Sequence, residues 1–385
     1  MRDRAALPLN VRAERIDALQ RACAGRSDVI GLAGGLPAAS LFPRDAMRSA
    51  LAAVMRDPKL AALQYGWPEG DEPLRAWLAT RLSTERHPLD ADDVIVTAGA
   101  QQAIAIAIET IAGAGATVGV SSASYPAALD LFRARGLVPT DEPRAETFYS
   151  MPEIGNPGGL PIEEDFAARV RESRAPVIAD DAYAELRFDG VRTRRGEAFD
   201  SIWRVATFAK TLCPGLRIGC LVPPREHHAR ALRMKRGADL QANGLGQAVL
   251  AELLRCFDYD AHLARVRAVY ARRASALASA LRKQLPSWTF REPEGGFSIF
   301  VDTGAPGDDV AFLAAASSHG VSFDPGRTFR VRPRETIELR LCYSNVDERS
   351  IAEGAARLAR AWSTFHARVG GARSGSRAQD TKQSP

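Results

Sequence analysis

Lysine is scarce in this chain of 385 residues: five lysines, at 59, 210, 235, 283 and 382, stand beside 46 arginines. Four of the five fall in polar turns, on basic helix faces or in the tail. Lys210 alone closes an apolar run, Val205-Ala206-Thr207-Phe208-Ala209, that reads as a buried strand. Such a strand would set the amine at the carboxyl edge of a sheet, where open α/β sheets bind ligands. An arginine cannot become a neutral amine, whereas a desolvated lysine can, and a neutral amine forms a Schiff base. The alternative is a surface or helix-capping lysine.

Three further features bear on that choice. Thr97-Ala98-Gly99-Ala100-Gln101 joins a strand to a helix, and unpaired N–H groups at a helix start bind phosphate, although such a junction also serves as a plain tight turn. Val177-Ile178-Ala179-Asp180 is an apolar strand ending in a carboxylate, followed by Asp181 and Tyr183. A carboxylate there can keep a pyridine nitrogen protonated so that the ring acts as an electron sink; the competing role is a helix N-cap. Arg217 lies seven residues beyond Lys210, past Pro214-Gly215, close enough for one site to hold a reactive amine and a phosphate-pairing guanidinium. A lysine, a strand-end aspartate, a phosphate-binding helix start and an arginine together describe a pocket for pyridoxal phosphate.

The elements that must position these residues alternate along the chain. Helical stretches are expected at 8–23, 45–55, 71–82, 101–111, 125–134 and 161–172, with more between 225 and 282. Strands are expected at 94–97, 117–121, 176–180, 205–208 and 218–222. Short apolar runs between helices indicate an α/β fold, a mostly parallel sheet with helices on both faces. After about residue 285 the texture changes to a smaller α+β unit with strands near 288–290, 296–301 and 337–343 and a last helix ending near His366. The expected division is an N-terminal segment 1–40 packing with the small domain, a large domain 41–284, a small domain 285–366 and a disordered tail 367–385.

Composition sets outer limits. At 46% hydrophobic and 25% charged the chain is an ordinary globular one. A charge of +5 spread along the sequence argues against nucleic acid as a partner. Five cysteines (23, 213, 220, 256, 342) form no metal spacing, and their odd number suits reduced thiols in the cytoplasm. MRDRAALPLN lacks the apolar region of an export signal, and 103–118, the most apolar stretch, is interrupted by Glu109 and two glycines, which disfavours a membrane span. The six histidines (87, 227, 228, 262, 319, 366) are scattered, so no metal is expected. Trp67, Trp77, Trp203 and Trp362 read as core, with Trp67 also a candidate for the substrate entrance.

The ordered motifs from residue 32 to 341 resemble those of the fold-type I, class I/II aminotransferases, nearest the branch of 2-aminoadipate, kynurenine and aromatic aminotransferases. They are Leu32-Ala33-Gly34-Gly35-Leu36-Pro37, Leu63-Gln64-Tyr65-Gly66, Thr97 to Gln102, Asn156-Pro157, Asp180-Asp181-Ala182-Tyr183, Thr207 to Lys210, Pro214 to Gly219, Gly295-Gly296-Phe297, Pro325-Gly326 with Phe329, and Leu339-Arg340. The resemblance implies a seven-stranded, mostly parallel sheet in the large domain and a cytoplasmic homodimer using pyridoxal 5'-phosphate. Lys210 would carry the cofactor as a Schiff base, Asp180 would pair with the ring nitrogen, and Asn156 and Tyr183 would hold the phenolic oxygen. Tyr125 would stack on the ring. Gly99, Ala100, Gln101, Thr207 and Arg217 would bind the phosphate, joined by Tyr65 from the other subunit. Arg340 would clamp the substrate α-carboxylate beside Gly35. Its strand, Ile337 to Leu341, alternates in polarity and could turn the guanidinium into the interdomain cleft without a resident partner; the alternative is an ion pair with an acid such as Asp324.

Ala100 and Ala209 depart from the hydroxyl residues usual in this family, and Asn156-Pro157-Gly158-Gly159 departs from Asn-Pro-Thr-Gly. Gly113 to Ala116 lacks the customary Gly-Asp. Each lost hydrogen bond is worth about 1 kcal/mol of cofactor binding. The implied reaction moves an amino group between an L-amino acid and a 2-oxo acid, with the released lysine ferrying a proton. Elimination, cyclisation or oxidation of a specialised amino acid by the same cofactor is the rival within enzymes. The effector domain of a transcription regulator is the rival from another class, disfavoured because only about 30 residues precede Gly34-Gly35.

Overall fold

The computed structural model describes residues 11–379 apart from 24, 60 and 192. Its larger sheet has seven strands in the spatial order Ile95–Thr97, Gly219–Val222, Ile202–Thr207, Val177–Asp180, Thr147–Ser150, Thr117–Gly119 and Val138–Thr140. All run parallel except Gly219–Val222, which is antiparallel to both neighbours. The parallel strands bring their carboxyl ends to one edge, and these ends lead into Gly99, Tyr125, Asn156, Asp180 and Lys210. The reversed strand starts at that same edge, with Gly219 opposite Thr97 on one side and Thr207 on the other, and so delivers Arg217 there too.

Burial explains why these segments are strands and helices. Val94, Ile95, Val96, Val118, Ile178, Val205 and Leu221 are fully buried, as expected of a sheet covered on both faces. The helix Ala100–Ile111 buries Ala103, Ile104, Ile106, Ala107 and Ile108 against it. The smaller sheet has the order Ile30–Leu32, Val321–Pro325, Thr336–Cys342, Ser298–Pro306 and Thr289–Phe290. Ile30–Leu32 pairs parallel with Val321–Pro325, and the other pairings are antiparallel.

Four strands go unrecognised in the sequence: Ile30–Leu32, Val138–Thr140, Thr147–Ser150 and Val321–Pro325. Val138–Thr140 carries Pro139, which a sheet tolerates at its edge. Thr147–Ser150 is short and follows the charged 141–146. Val321–Pro325 contains Asp324, whose burial depends on partners elsewhere in the chain. The strand before Lys210 ends at Thr207, because the Thr207 hydroxyl donates to Ile218 O at 3.0 Å and accepts from Ala209 N at 3.2 Å. Lys235, expected on a basic helix face, is fully buried and ion-paired with Asp239. Trp67, expected in the core, is 74% exposed. The first helix starts, among the described residues, at Val11; residues 8–10 lie outside them. The last helix, Glu348–Gln379, continues through 367–379, where composition points to disorder. Extending a docked helix needs no new nucleus.

Candidate active site

The phosphate end is built from the junction of the strand Ile95–Thr97 with the helix Ala100–Ile111. Gly99 is the N-cap with φ 86°, and its helix has no side-chain cap, so the first N–H groups remain available to an anion. Arg217 crosses this turn: a Cβ on residue 99 would stand 2.9 Å from its Nη2. Its guanidinium donates only to carbonyls among the described residues, Ala98 O at 3.2 Å and Pro214 O at 3.5 Å. Gly219 passes beneath, where a Cβ would meet Ala206 O at 2.7 Å and Ala100 N at 3.0 Å. Gln102 secures the loop from within the helix, its Oε1 accepting from Ala98 N at 2.7 Å and its Nε2 donating to Asp239 Oδ2 at 2.8 Å. Lys235 completes this chain by donating to Asp239 Oδ1.

Asp180 sits at the middle of the edge, 2% exposed. One oxygen accepts from Ala182 N at 3.0 Å, the local turn contact that the capping alternative foresees, and the other from the Tyr149 hydroxyl at 2.7 Å. Burial raises its pKa, while Tyr149, Ala182 and the charge of Lys210 oppose the rise. Tyr149 lies on a strand that the sequence reading misses, so its part here has no signal in the local motif.

Lys210 is half-buried, and its Nζ donates to Gly35 O at 3.3 Å. It lies 5.4 Å from the ring centroids of both Tyr183 and Phe297. Burial pulls its pKa below the ordinary lysine value, and Tyr125, Arg340 and Asp180 all act on it electrostatically. The amine therefore shares one cleft with the aspartate and the arginine. A lysine of lowered basicity is what nucleophilic and proton-transfer chemistry requires.

Arg340 is buried on the strand Thr336–Cys342 and does have a resident partner, which corrects the expectation of an unpaired guanidinium. Nε and Nη2 both donate to Asp324 Oδ2, at 2.9 and 2.6 Å, and Nη1 donates to Asn156 Oδ1 at 2.9 Å. Phe329 lies under it, ring centroid to Cζ 4.7 Å. Gly35, with φ 58°, comes so close that a Cβ would stand 3.4 Å from both terminal nitrogens. Gly35, Asn156, Asp324 and Arg340 thus form the second half of the cleft.

Of the expected residues, Gly35, Tyr125, Asn156, Asp180, Tyr183, Lys210 and Arg340 converge on this cleft, and Gly99, Ala100, Gln101 and Arg217 meet at the helix start beside it. Thr207 has its hydroxyl engaged with the backbone. Tyr65 stands apart, 81% exposed. Among the described residues no group of three His, Cys, Asp or Glu side chains could hold a metal ion. None of their helices is long and apolar enough to cross a membrane.

A buried aspartate, an uncapped helix start and an arginine without an acid partner among the described residues fit a phosphorylated pyridine, and comparison with known proteins agrees. The model of the family aminotransferase class I and II matches residues 161–358. A 2-aminoadipate transaminase of Thermus thermophilus is 31% identical over 365 residues, covering 87% of this chain and 90% of that protein. Aromatic-amino-acid aminotransferase 1 of Thermococcus litoralis is 30% identical over 369 residues, covering 86% and 88%. The crystal structure of α-aminoadipate aminotransferase from Thermus thermophilus, complexed with N-(5'-phosphopyridoxyl)-L-leucine, superposes with a TM-score of 0.79 at 30% identity, covering 93% of this chain and 97% of that one.

Proposed function

The chain belongs to the class I and II aminotransferases, and we propose that the cleft around Lys210, Asp180 and Arg340 is its active site. The protein is a pyridoxal 5'-phosphate-dependent transaminase of fold type I, with an amino acid and a 2-oxo acid as substrates. The observation that carries the site is the convergence on one cleft of a lysine of lowered basicity and a buried aspartate from the edge of the larger sheet with an arginine from the smaller sheet.

In this reading Lys210 holds the cofactor's carbonyl carbon, Asp180 its ring nitrogen, and Asn156 and Tyr183 its phenolic oxygen, with Tyr125 against the ring. Gly99, Ala100, Gln101, Thr207 and Arg217 bind the phosphate. When bound, the cofactor supplies an electron sink for the substrate's α-carbon. Lys210, once released, takes a proton from that carbon and returns it, a role suited to an amine whose basicity burial lowers. Arg340 fixes the substrate carboxylate through the N–H groups that Asp324 and Asn156 leave unused, and Gly35 provides the space in front of it.

The chain works as a homodimer in the cytoplasm in this reading. Leu63, Tyr65, Trp67 and Leu240 are 55%, 81%, 74% and 60% exposed, and Gln241 Oε1 accepts from Gly66 N, drawing the two segments together. An exposed apolar patch of this kind marks an interface, from which Tyr65 would reach the partner's phosphate. The large unit 41–284 would carry the cofactor, and 285–366 with the N-terminal strand would close over it. Amino-group transfer to 2-oxoglutarate and pyruvate from a panel including L-2-aminoadipate and aromatic L-amino acids tests the reading. Formation of glutamate or alanine supports it, and cofactor-dependent turnover without amino transfer would replace it with elimination or oxidation.

A further inference from the structure

Asp324 and Arg340 face each other directly across two antiparallel strands, both in the buried interior. A second buried pair, Arg330 with Glu338, lies close by in the same unit and differs in form. There, Nε and Nη2 of Arg330 each meet a separate oxygen of Glu338, and Nη1 donates to Ser122 Oγ at 3.1 Å. At Arg340, Nε and Nη2 share the single oxygen Oδ2 of Asp324. The Asp324 carboxylate is anchored from its other side by Gly34 N at 3.1 and 3.0 Å and by Gln20 Nε2 at 2.7 Å. Arg340 donates three hydrogen bonds to protein side chains; its guanidinium has five N–H groups. One N–H therefore remains on each of Nη1 and Nη2, in the cleft that holds Lys210.

A buried guanidinium is stable only with a counter-charge. Had Arg340 lacked one, any substrate without a carboxylate would leave it uncompensated on binding. With Asp324 in place the charge is balanced before substrate arrives, and an incoming carboxylate must share the arginine with a resident anion. We propose that Asp324 is a built-in counter-anion that lets the site accept amino donors with no carboxylate on the amine-bearing carbon, in addition to α-amino acids. The inference rests on the reading of Arg340 as the carboxylate-binding residue.

The reaction balances without a further oxidant. The primary amine's carbon is oxidised to an aldehyde: its C–N bond breaks, water supplies the carbonyl oxygen, and two electrons leave with the nitrogen. The 2-oxo acid is reduced by the same two electrons, gains the amino group and releases its carbonyl oxygen as water. In that second half the acid's carboxylate takes the two remaining N–H groups of Arg340.

The test uses the holoenzyme with 2-oxoglutarate as acceptor and compares its best L-amino acid donor with the amine formed by removing that donor's carboxylate. The matched pair keeps the side chain constant. The amine should reach at least about one hundredth of the amino acid's kcat/KM, and a lower ratio overturns the proposal. In Asp324→Asn the ratio should fall at least about tenfold further, and a smaller fall also overturns it. A second readout needs no turnover: the matching carboxylic acid without the amine, titrated by calorimetry, should bind Asp324→Asn at least about tenfold more tightly than wild type. Equal or weaker binding would make Asp324 a mere support for Arg340 and overturn the counter-anion role. If Asp324→Asn does not fold, the wild-type ratio decides alone. Arg340→Met separates the two readings: acid binding that survives in this variant refutes the Arg340 assignment itself, whatever Asp324 does.

Discussion

Replacing Gly219 with alanine asks whether the turn above it is the phosphate cradle. A Cβ there would stand 2.7 Å from Ala206 O, 2.9 Å from Gly99 C and 3.0 Å from Ala100 N. All three are backbone atoms, so no side chain can swing aside. Ordinary contact begins at 3.4 Å, so the groups must part by about half an ångström, within the range of about 1–3 kcal/mol for an overpacked site. Gly219 is paired with Thr97 and Thr207 on its two sides, which keeps the strand in place and throws the displacement onto Gly99-Ala100. Hydrogen bonds from that helix start weaken as they lengthen beyond about 3.2 Å. Losing one bond to a charged phosphate is worth about 1.5–3 kcal/mol, roughly 10- to 150-fold in Kd. Titration of the apoprotein with pyridoxal 5'-phosphate, followed by fluorescence, reads this directly, and a melting curve without cofactor reads the strain. A Kd within about twofold of wild type, beside a lowered Tm, would show that the turn is structural and that the phosphate lies elsewhere.

Burial pushes the Asp181 carboxyl up to about 7, so the folded protein holds a proton there that the unfolded chain releases. Stability should drop by up to about 1.4 kcal/mol per pH unit as pH rises from the ordinary carboxylate range to about 7; Asp181→Asn should flatten that slope, and parallel Tm profiles from pH 4.5 to 7.5 would contradict the assignment. Tyr149→Phe removes one of two donors to Asp180 and should cost about 1.5–3 kcal/mol at pH 7, so an unaltered Tm would mean that this bond carries no weight. Arg340→Lys should raise the apparent KM for every α-amino acid and, because it disturbs the Asp324 pair, also lower Tm; a normal KM would place the α-carboxylate elsewhere. Sedimentation at micromolar concentration should give a dimer, and a fully active monomer would remove Tyr65 from the phosphate site.

The reach of the sequence follows the range of the interactions. Gly99, Asp180, Lys210 and Arg217 are legible because each closes or opens an apolar run, and a parallel sheet brings such run ends to one edge. The reversed strand Gly219–Val222 was recognisable as a strand, but its direction depends on pairing with Ile95–Thr97 and Ile202–Thr207, far away in the chain. The strand positions of Tyr149 and Asp324 escaped notice for the same reason. Each sits on a short strand whose partners are remote, and each bonds a site residue 31 or 16 positions away. Lys235 looked like a surface lysine because the acid that permits its burial, Asp239, lies one helical turn on among arginines. The Arg340 partner was foreseen only as an alternative, since alternating polarity tells which face a side chain takes and not what waits there.

The central claim is that Lys210 carries the cofactor. Borohydride reduction of the holoenzyme, followed by proteolysis and peptide mass mapping, tests it most directly. The account predicts one pyridoxyl group per chain, on Lys210. A label on Lys235, which is fully buried, or on any exposed lysine, with Lys210 unmodified, would contradict it.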